Sequence, residues 1–277
     1  MEPQVDEYTR ANLLNWNNRA ELHATDETGT YRIAQVLAGR SCLHDLETRE
    51  IGDIAGKDIV HLQCHIGIDT LSLRHLGASS VTGLDFSQRA ILAARDFALR
   101  AGVEARFIEA SVYDAPEALG QTYDIVFVSW GAIIWLDDIF RWARVVSALL
   151  RPGGRLYLLD VHPQLSQLSL VDGKAQIVYP WRTSAAAPLI YDETTTYTGD
   201  PRPLTHSRNY EWIHPLSDVV NALILAGLRL DFLNEHEVIV WKAFPDMPEV
   251  GEDVFALADG YPSIPLSFSV GASKPMP

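Results

Sequence analysis

Between about Ile51 and Asp160, short aliphatic runs alternate with amphipathic stretches, and that alternation restricts the chain to very few folds. DIVHLQC (58–64), SSVTGLDF (79–86), ARFIEASV (105–112), YDIVFVSW (123–130) and RLYLLDVH (155–162) are short and rich in β-branched residues, and read as strands. Between them, GIDTLSLRHLGA, SQRAILAARDFALRAG and DDIFRWARVVSALLRPGG place apolar residues at three- and four-residue spacing and stop at Gly or Pro-Gly, as crossover helices do. Strand and helix in this order build a parallel sheet covered on both faces. HPLSDVVNALILAGLRLDFLNEHE reads as a helix entering a sixth strand, and LSFSVGASKP as a final, antiparallel one. The expectation is an α/β chain with a Rossmann-like, seven-stranded, mostly parallel sheet.

Four segments follow. Residues 1–50 hold a polar-aromatic stretch whose period suggests two short helices forming a cap or lid, and 51–162 form the core. Residues 163–213, rich in Thr, Tyr and Pro, read as an inserted β-hairpin or arm, and 214–277 complete the core. Lys and Arg number 22 against 36 Asp and Glu, a net charge of -14, so most of the surface repels a phosphate backbone and nucleic acid is not an expected partner. Two cysteines make no disulfide framework. Without a charge-free apolar run of about 18 residues or a basic-then-apolar leader, the expected setting is cytoplasmic, away from membranes.

In a doubly wound sheet, ligands bind at the carboxyl ends of the strands. The turn after the first strand, His61-Leu62-Gln63-Cys64-His65-Ile66-Gly67-Ile68-Asp69-Thr70, keeps one glycine where a nucleotide fingerprint has three small residues. Asp85 ends the second strand about twenty residues later, the separation at which a carboxylate accepts both ribose hydroxyls of a nucleoside. A helix-capping role for Asp85 is the structural alternative. His61, Cys64 and His65 lie within five positions, but strand alternation turns His61 away from Gln63 and no second Cys/His cluster completes a ligand set, so no metal is expected.

The run LQCHIGIDTLSL followed by VTGLDFS resembles the class I methyltransferases. Their turn, of the type D-x-G-C-G-x-G, overlays with Gln63 and His65 on the first two glycines and Gly67 on the third. The run is similar to a bacterial branch with Gln-Cys-His-x-Gly in this turn, which includes secondary-metabolite enzymes such as those of teleocidin-type pathways. The resemblance covers roughly residues 10–160 well and the remainder loosely. It implies S-adenosylmethionine as cofactor, with Phe86 beside the adenine. The family commonly places an Asp after the third strand, where this chain has Ser111, so a backbone contact at Val112 gains weight and either Ser111 or Asp114 meets the adenine amine. Ser129, Trp130 and Gly131 would lie under the methionine half, although Trp130 reads equally as core.

Trp16, Asn18, Arg19 and Tyr31 are candidates to fold over the cofactor, Arg19 or Tyr31 meeting its carboxylate; ordinary helix packing is the alternative. His162, just beyond the fifth strand, is a candidate catalytic base or a plain turn residue before Pro163. Tyr191, Tyr197, Tyr210 and Trp212 either wall an apolar substrate pocket or mediate self-association into a homo-oligomer. The implied function is methyl transfer to a small molecule, with O-, N- and C-methylation all open. A NAD-dependent oxidoreductase is the competing enzyme class, disfavoured because pyrophosphate needs the missing glycines. A non-catalytic nucleoside-binding protein is the remaining alternative.

Overall fold

The computed structural model describes residues 3–277. Three helices come first, α1 (Pro3–His23), α2 (Ile33–Leu37) and α3 (Asp45–Ile51). The alternating core follows as β1 (Asp58–Leu62), α4 (Ile68–His75), β2 (Ser80–Asp85), α5 (Gln88–Ala101), β3 (Arg106–Glu109), α6 (Ala115–Leu119), β4 (Tyr123–Ser129), α7 (Ile139–Leu149) and β5 (Leu150–Val161). The inserted segment forms two hairpins, β6 (Leu168–Val171) with β7 (Lys174–Ile177) and β8 (Leu189–Asp192) with β9 (Arg208–Glu211). Then come α8 (Leu216–Leu225), β10 (Arg229–His236), a small β11 (Glu249–Gly251) and β12 (Val254–Phe255) pair, and β13 (Ser267–Ser273).

Seven strands form one sheet in the order β10-β13-β5-β4-β1-β2-β3. Strands β1 to β5 pair in parallel, whereas β13 runs antiparallel between β5 and β10. Both faces of the sheet are buried because side chains alternate along each strand. Val60, Leu62, Val126, Val128, Leu156 and Leu158 point to the face covered by α6, α7 and α8, where Trp142 is fully buried. Ile59, Ile125, Phe127, Tyr157 and Leu159 point to the other, with Ile51 of α3 and Leu73 of α4. Strand order reverses between β1 and β4, so the loops leaving their carboxyl ends splay apart and open a crevice.

The N-terminal segment differs from the two short helices expected. It opens with one 21-residue helix whose buried face is polar: Asn12, Asn15, Arg19 and His23 are each no more than 2% exposed. Asn12 explains why. Its side-chain amide pairs both ways with the backbone of Tyr210, accepting from the N–H at 2.8 Å and donating to the C=O at 2.8 Å. Asn15 donates to the His206 carbonyl at 2.7 Å, and Asn18 accepts from the Thr205 N–H at 2.6 Å. Helix α1 thus satisfies backbone groups of the inserted segment that no strand pairs. At the other side, the Asn17 side-chain oxygen accepts from the Ser87 hydroxyl at 2.8 Å, fixing α1 to the N-cap of α5. Cap and arm therefore close together over the crevice.

Candidate functional site

Along the carboxyl edge, the sheet order places Ser111 and Val112 after β3, Asp85 at the end of β2, Gln63 and His65 after β1, and Ser129 and Trp130 after β4. All of them line one cavity of about 590 Å³, a volume typical of small-molecule sites. In the turn after β1, Gln63, His65 and Gly67 have φ of 55°, 49° and 76°. These alternate positions are the ones that overlay the glycines of the methyltransferase turn, and all three are left-handed although two of them carry side chains. Each non-glycine residue in this region costs about 1 kcal/mol or more, and such strain concentrates at functional sites. Gly67 allows no substitute, since a Cβ there would lie 2.6 Å from Phe107 and 2.7 Å from Ala94. The Gln63 side chain bridges the crevice, donating to the Ala132 carbonyl at 2.7 Å, while its Oε1 is buried with no partner among the described residues.

Asp85 accepts from the His65 N–H at 2.9 Å and the Ser87 N–H at 2.8 Å, one bond to each oxygen. The N-cap of α5 is Ser87 itself, accepting from Ala90. Asp85 is thus held by the backbone on one side and faces the cavity on the other. Burial pushes its carboxyl up to about 6, against the three backbone hydrogen bonds that favour the anion.

The turn after β4 is organised by a residue the sequence reading placed only as a strand end. Asp160 is fully buried and accepts from the N–H groups of Gly131 at 2.5 Å, Ala132 at 3.0 Å and Ile133 at 2.9 Å. That clasp holds Trp130 and Gly131 at positive φ beneath the cavity. At this end lie two carboxyls the sequence did not single out. Asp69 in the first turn of α4 accepts from the Ser129 hydroxyl at 3.3 Å and the Cys42 thiol at 3.4 Å. Glu47 of α3 accepts from the His44 N–H at 2.9 Å, leaving Oε1 buried without a partner among the described residues, as is Trp130 Nε1. Burial and then the neighbouring Asp69 push Glu47 up to about 8.

Over the turn after β1 sits the lid. Trp16 packs edge-on against His65 and Trp135, each at 5.1 Å between centroids. His65 Nε2 meets His23 Nδ1 at 2.8 Å, and the Tyr31 hydroxyl reaches the same nitrogen at 2.9 Å and bonds to Tyr197. Burial, reinforced by Arg19, drives His65 down to about 3, so this ring is neutral at pH 7. Arg19 does not face a free anion site: its guanidinium pairs with Glu193 and donates to Asn15 at 2.7 Å.

The structure therefore brings together Trp16, Gln63, His65, Asp85, Phe86, Ser111, Val112, Ser129 and Trp130 around the cavity, with Tyr31, Tyr191, Tyr197 and Trp212 from cap and arm. Gly67 sits behind the wall as a packing residue, and Tyr210 packs against Tyr8 at 4.5 Å between centroids. The Ser111 hydroxyl accepts from the Tyr113 N–H at 3.3 Å. His162 is not among the lining residues. The Gln164 N–H donates to its Nδ1 at 3.1 Å, so Nε2 carries the proton given to Glu235 at 3.0 Å. With both nitrogens committed away from the cavity, the geometry gives no support to a catalytic base there. His61, Cys64 and His65 also diverge, with His61 turned to Thr70 at 2.9 Å; no group of three or more potential metal ligands occurs among the described residues.

Residues 60–156 match the family model described as a methyltransferase domain. Over those residues the chain is similar to a methyltransferase domain. The ribosomal protein L11 methyltransferase of Shewanella amazonensis is 35% identical over 113 residues, 41% of this chain and 36% of that protein. Its counterpart in Xanthomonas euvesicatoria is 29% identical over 162 residues, 55% of this chain and 51% of that protein. The chain thus spans about a third to a half of the curated relatives it matches. Among solved structures, the S-adenosylmethionine-dependent methyltransferases of Mesorhizobium loti (TM-score 0.53, 18% identity, 80% of this chain and 93% of that one) and Clostridium acetobutylicum (0.54, 12%, 80% and 85%) share the fold.

The residues present fit the cofactor of this domain class. Asp85 presents a carboxylate to the cavity with Phe86 and Val112 as apolar surface beside it, and toward β4 the wall holds Gln63, Glu47 and Trp130, each with a buried polar atom that has no partner among the described residues.

Proposed function

We propose that the protein is an S-adenosylmethionine-dependent methyltransferase acting on a small molecule. The observation that carries the reading is Asp85, fixed by two backbone N–H groups at the end of β2 and facing a cavity that cap and arm close over. Asp85 would hold the ribose hydroxyls, Phe86 and Val112 the base, with Ser111 near the adenine amine, and Gln63, Ser129 and Trp130 the methionine half. When bound, the cofactor supplies an electrophilic methyl group on a sulfonium centre. The chain's own task is then to align the acceptor and exclude water. Trp16, Trp135, Tyr197 and Trp212 do so by roofing the cavity with aromatic surface.

A small acceptor is favoured over a protein because the roof is bonded shut: three asparagines and Arg19 of α1 tie it to the arm. The curated relatives carry the name of a ribosomal-protein methyltransferase, but the cap and arm lie outside residues 60–156, where the family model matches. Incubation with methyl-labelled cofactor and either a small-metabolite extract or purified ribosomal protein L11 tests the reading. Label in small molecules alone supports it; label in the protein alone refutes the acceptor class.

A further inference from the structure

The cavity contains a carboxyl that the cofactor reading leaves unused. Pairing of β8 with β9 sets Tyr191 opposite Asn209, so by strand alternation Tyr191, Glu193, Asn209 and Glu211 share one face, which turns toward the cavity. Glu193 is matched: Arg19 pairs with it, and the Asn209 amide donates to it at 3.3 Å. Glu211 is not. It lines the cavity, and its carboxyl has no hydrogen-bond or ion-pair partner among the described residues. Burial first, then Glu193, raises its proton affinity to about 8, with Arg19 opposing. Beside it, the backbone N–H of Trp212 donates to the Ile134 carbonyl at 2.7 Å, which ties the end of β9 to the segment carrying Trp135. Trp135 in turn meets Trp16. One unmatched carboxyl among aromatic rings is the complement of a cation on an apolar body.

We propose that the methyl acceptor is a small primary or secondary amine, carried on an apolar body, whose ammonium group binds Glu211 and whose nitrogen is methylated. The proposal rests on the methyltransferase reading above. An entering ammonium favours the ionised form of Glu211. For a primary amine, R–NH3⁺ then passes one proton to the carboxylate, giving R–NH2 and a neutral Glu211. The freed lone pair forms the N–C bond while the C–S bond breaks and its electrons stay on sulfur, leaving R–NH2⁺–CH3 and a neutral thioether. Glu211 afterwards releases its proton to solvent. Burial disfavours both members of the ion pair and so lowers the cost of the first step, which replaces them by two neutral groups.

The test is calorimetric, with the protein saturated with S-adenosylhomocysteine and the probes phenethylamine and benzylamine set against the near-isosteric 2-phenylethanol and benzyl alcohol. The expected result is binding of the amines at least about tenfold tighter than the alcohols, the worth of one charge-assisted hydrogen bond. Glu211→Gln should reduce that preference to within about twofold, and Glu211→Asp should retain part of it. Affinity for S-adenosylhomocysteine should be unchanged in both, which shows that the variants are folded. Equal binding of amine and alcohol, a preference that survives Glu211→Gln, or no binding of any probe overturns the proposal. Failure of S-adenosylhomocysteine to bind would instead overturn the methyltransferase reading, and the amine-to-alcohol ratio measured on the unloaded protein would still decide the role of Glu211.

Discussion

Replacing Asn12 by Ala tests whether α1 and the arm form one closed lid. The amide makes two bonds to Tyr210, each of 2.8 Å, at a site where Asn12 is 2% exposed. Truncation strands a backbone N–H and a C=O, and each costs about 1–3 kcal/mol when buried without a partner. Taking about 3 kcal/mol for the pair, and 2–4 °C per kcal/mol for a chain of this size, Tm should fall by roughly 6–12 °C if the lid unfolds with the core. If the lid opens locally instead, the same energy appears as amide exchange faster by about two decades. The acceleration should be confined to Pro3–His23 and Arg208–Glu211, with β1 to β5 still protected. Hydrogen exchange read by mass spectrometry, beside a thermal melt, distinguishes the two. A variant that melts within about 1 °C of the parent with unchanged exchange in both segments would refute the lid.

Gly67→Ala should be strongly destabilising, by about 2–4 kcal/mol in chemical denaturation, because a left-handed backbone and a Cβ 2.6 Å from Phe107 act together. Affinity for S-adenosylhomocysteine should fall below about pH 6 by up to tenfold per unit, since the ribose needs ionised Asp85, whose carboxyl sits at about 6. The stability of the unliganded protein should run the other way, falling as pH rises from about 3.8 to 6, because the unfolded carboxyl ionises first. Asp160 contributes to stability in the same window, and Asp85→Asn separates the two: it flattens the affinity profile and leaves only the Asp160 part of the stability profile. His162→Ala should lower stability by about 1–2 kcal/mol through its lost bonds to Gln164 and Glu235. Because that side chain faces away from the cavity, turnover under saturating cofactor should stay within about threefold of the parent, a change of less than 1 kcal/mol in barrier.

Where hydrophobic period decides, the sequence was legible. The five parallel strands and their crossover helices fall where the aliphatic runs and Gly stops place them, and Asp85 stands out because a strand end and a twenty-residue offset define it. Period fails for α1, since its buried stripe is Asn12, Asn15, Arg19 and His23, and a polar face buried by hydrogen bonding looks the same in sequence as a solvated one. Asp160 was hidden for a related reason: its partners at Gly131, Ala132 and Ile133 come near only once β4 and β5 pair. Glu47, Asp69 and Glu211 reach the same cavity from three distant segments, and nothing local to any of them signals that convergence. His162 was misleading because a histidine at a strand end reads the same whether its ring turns into the crevice or, as here, toward Glu235.

The central claim is that Asp85 anchors a sulfonium nucleoside, and the most direct measurement is calorimetric titration of the protein and its Asp85→Asn variant with S-adenosylmethionine, S-adenosylhomocysteine and NAD. The account predicts that the two sulfur nucleosides bind the parent in the micromolar range, that NAD does not bind, and that both affinities drop at least about tenfold in the variant, as loss of a charged hydrogen-bond acceptor requires. Binding of NAD alone, or nucleoside affinities unchanged by Asp85→Asn, would contradict it.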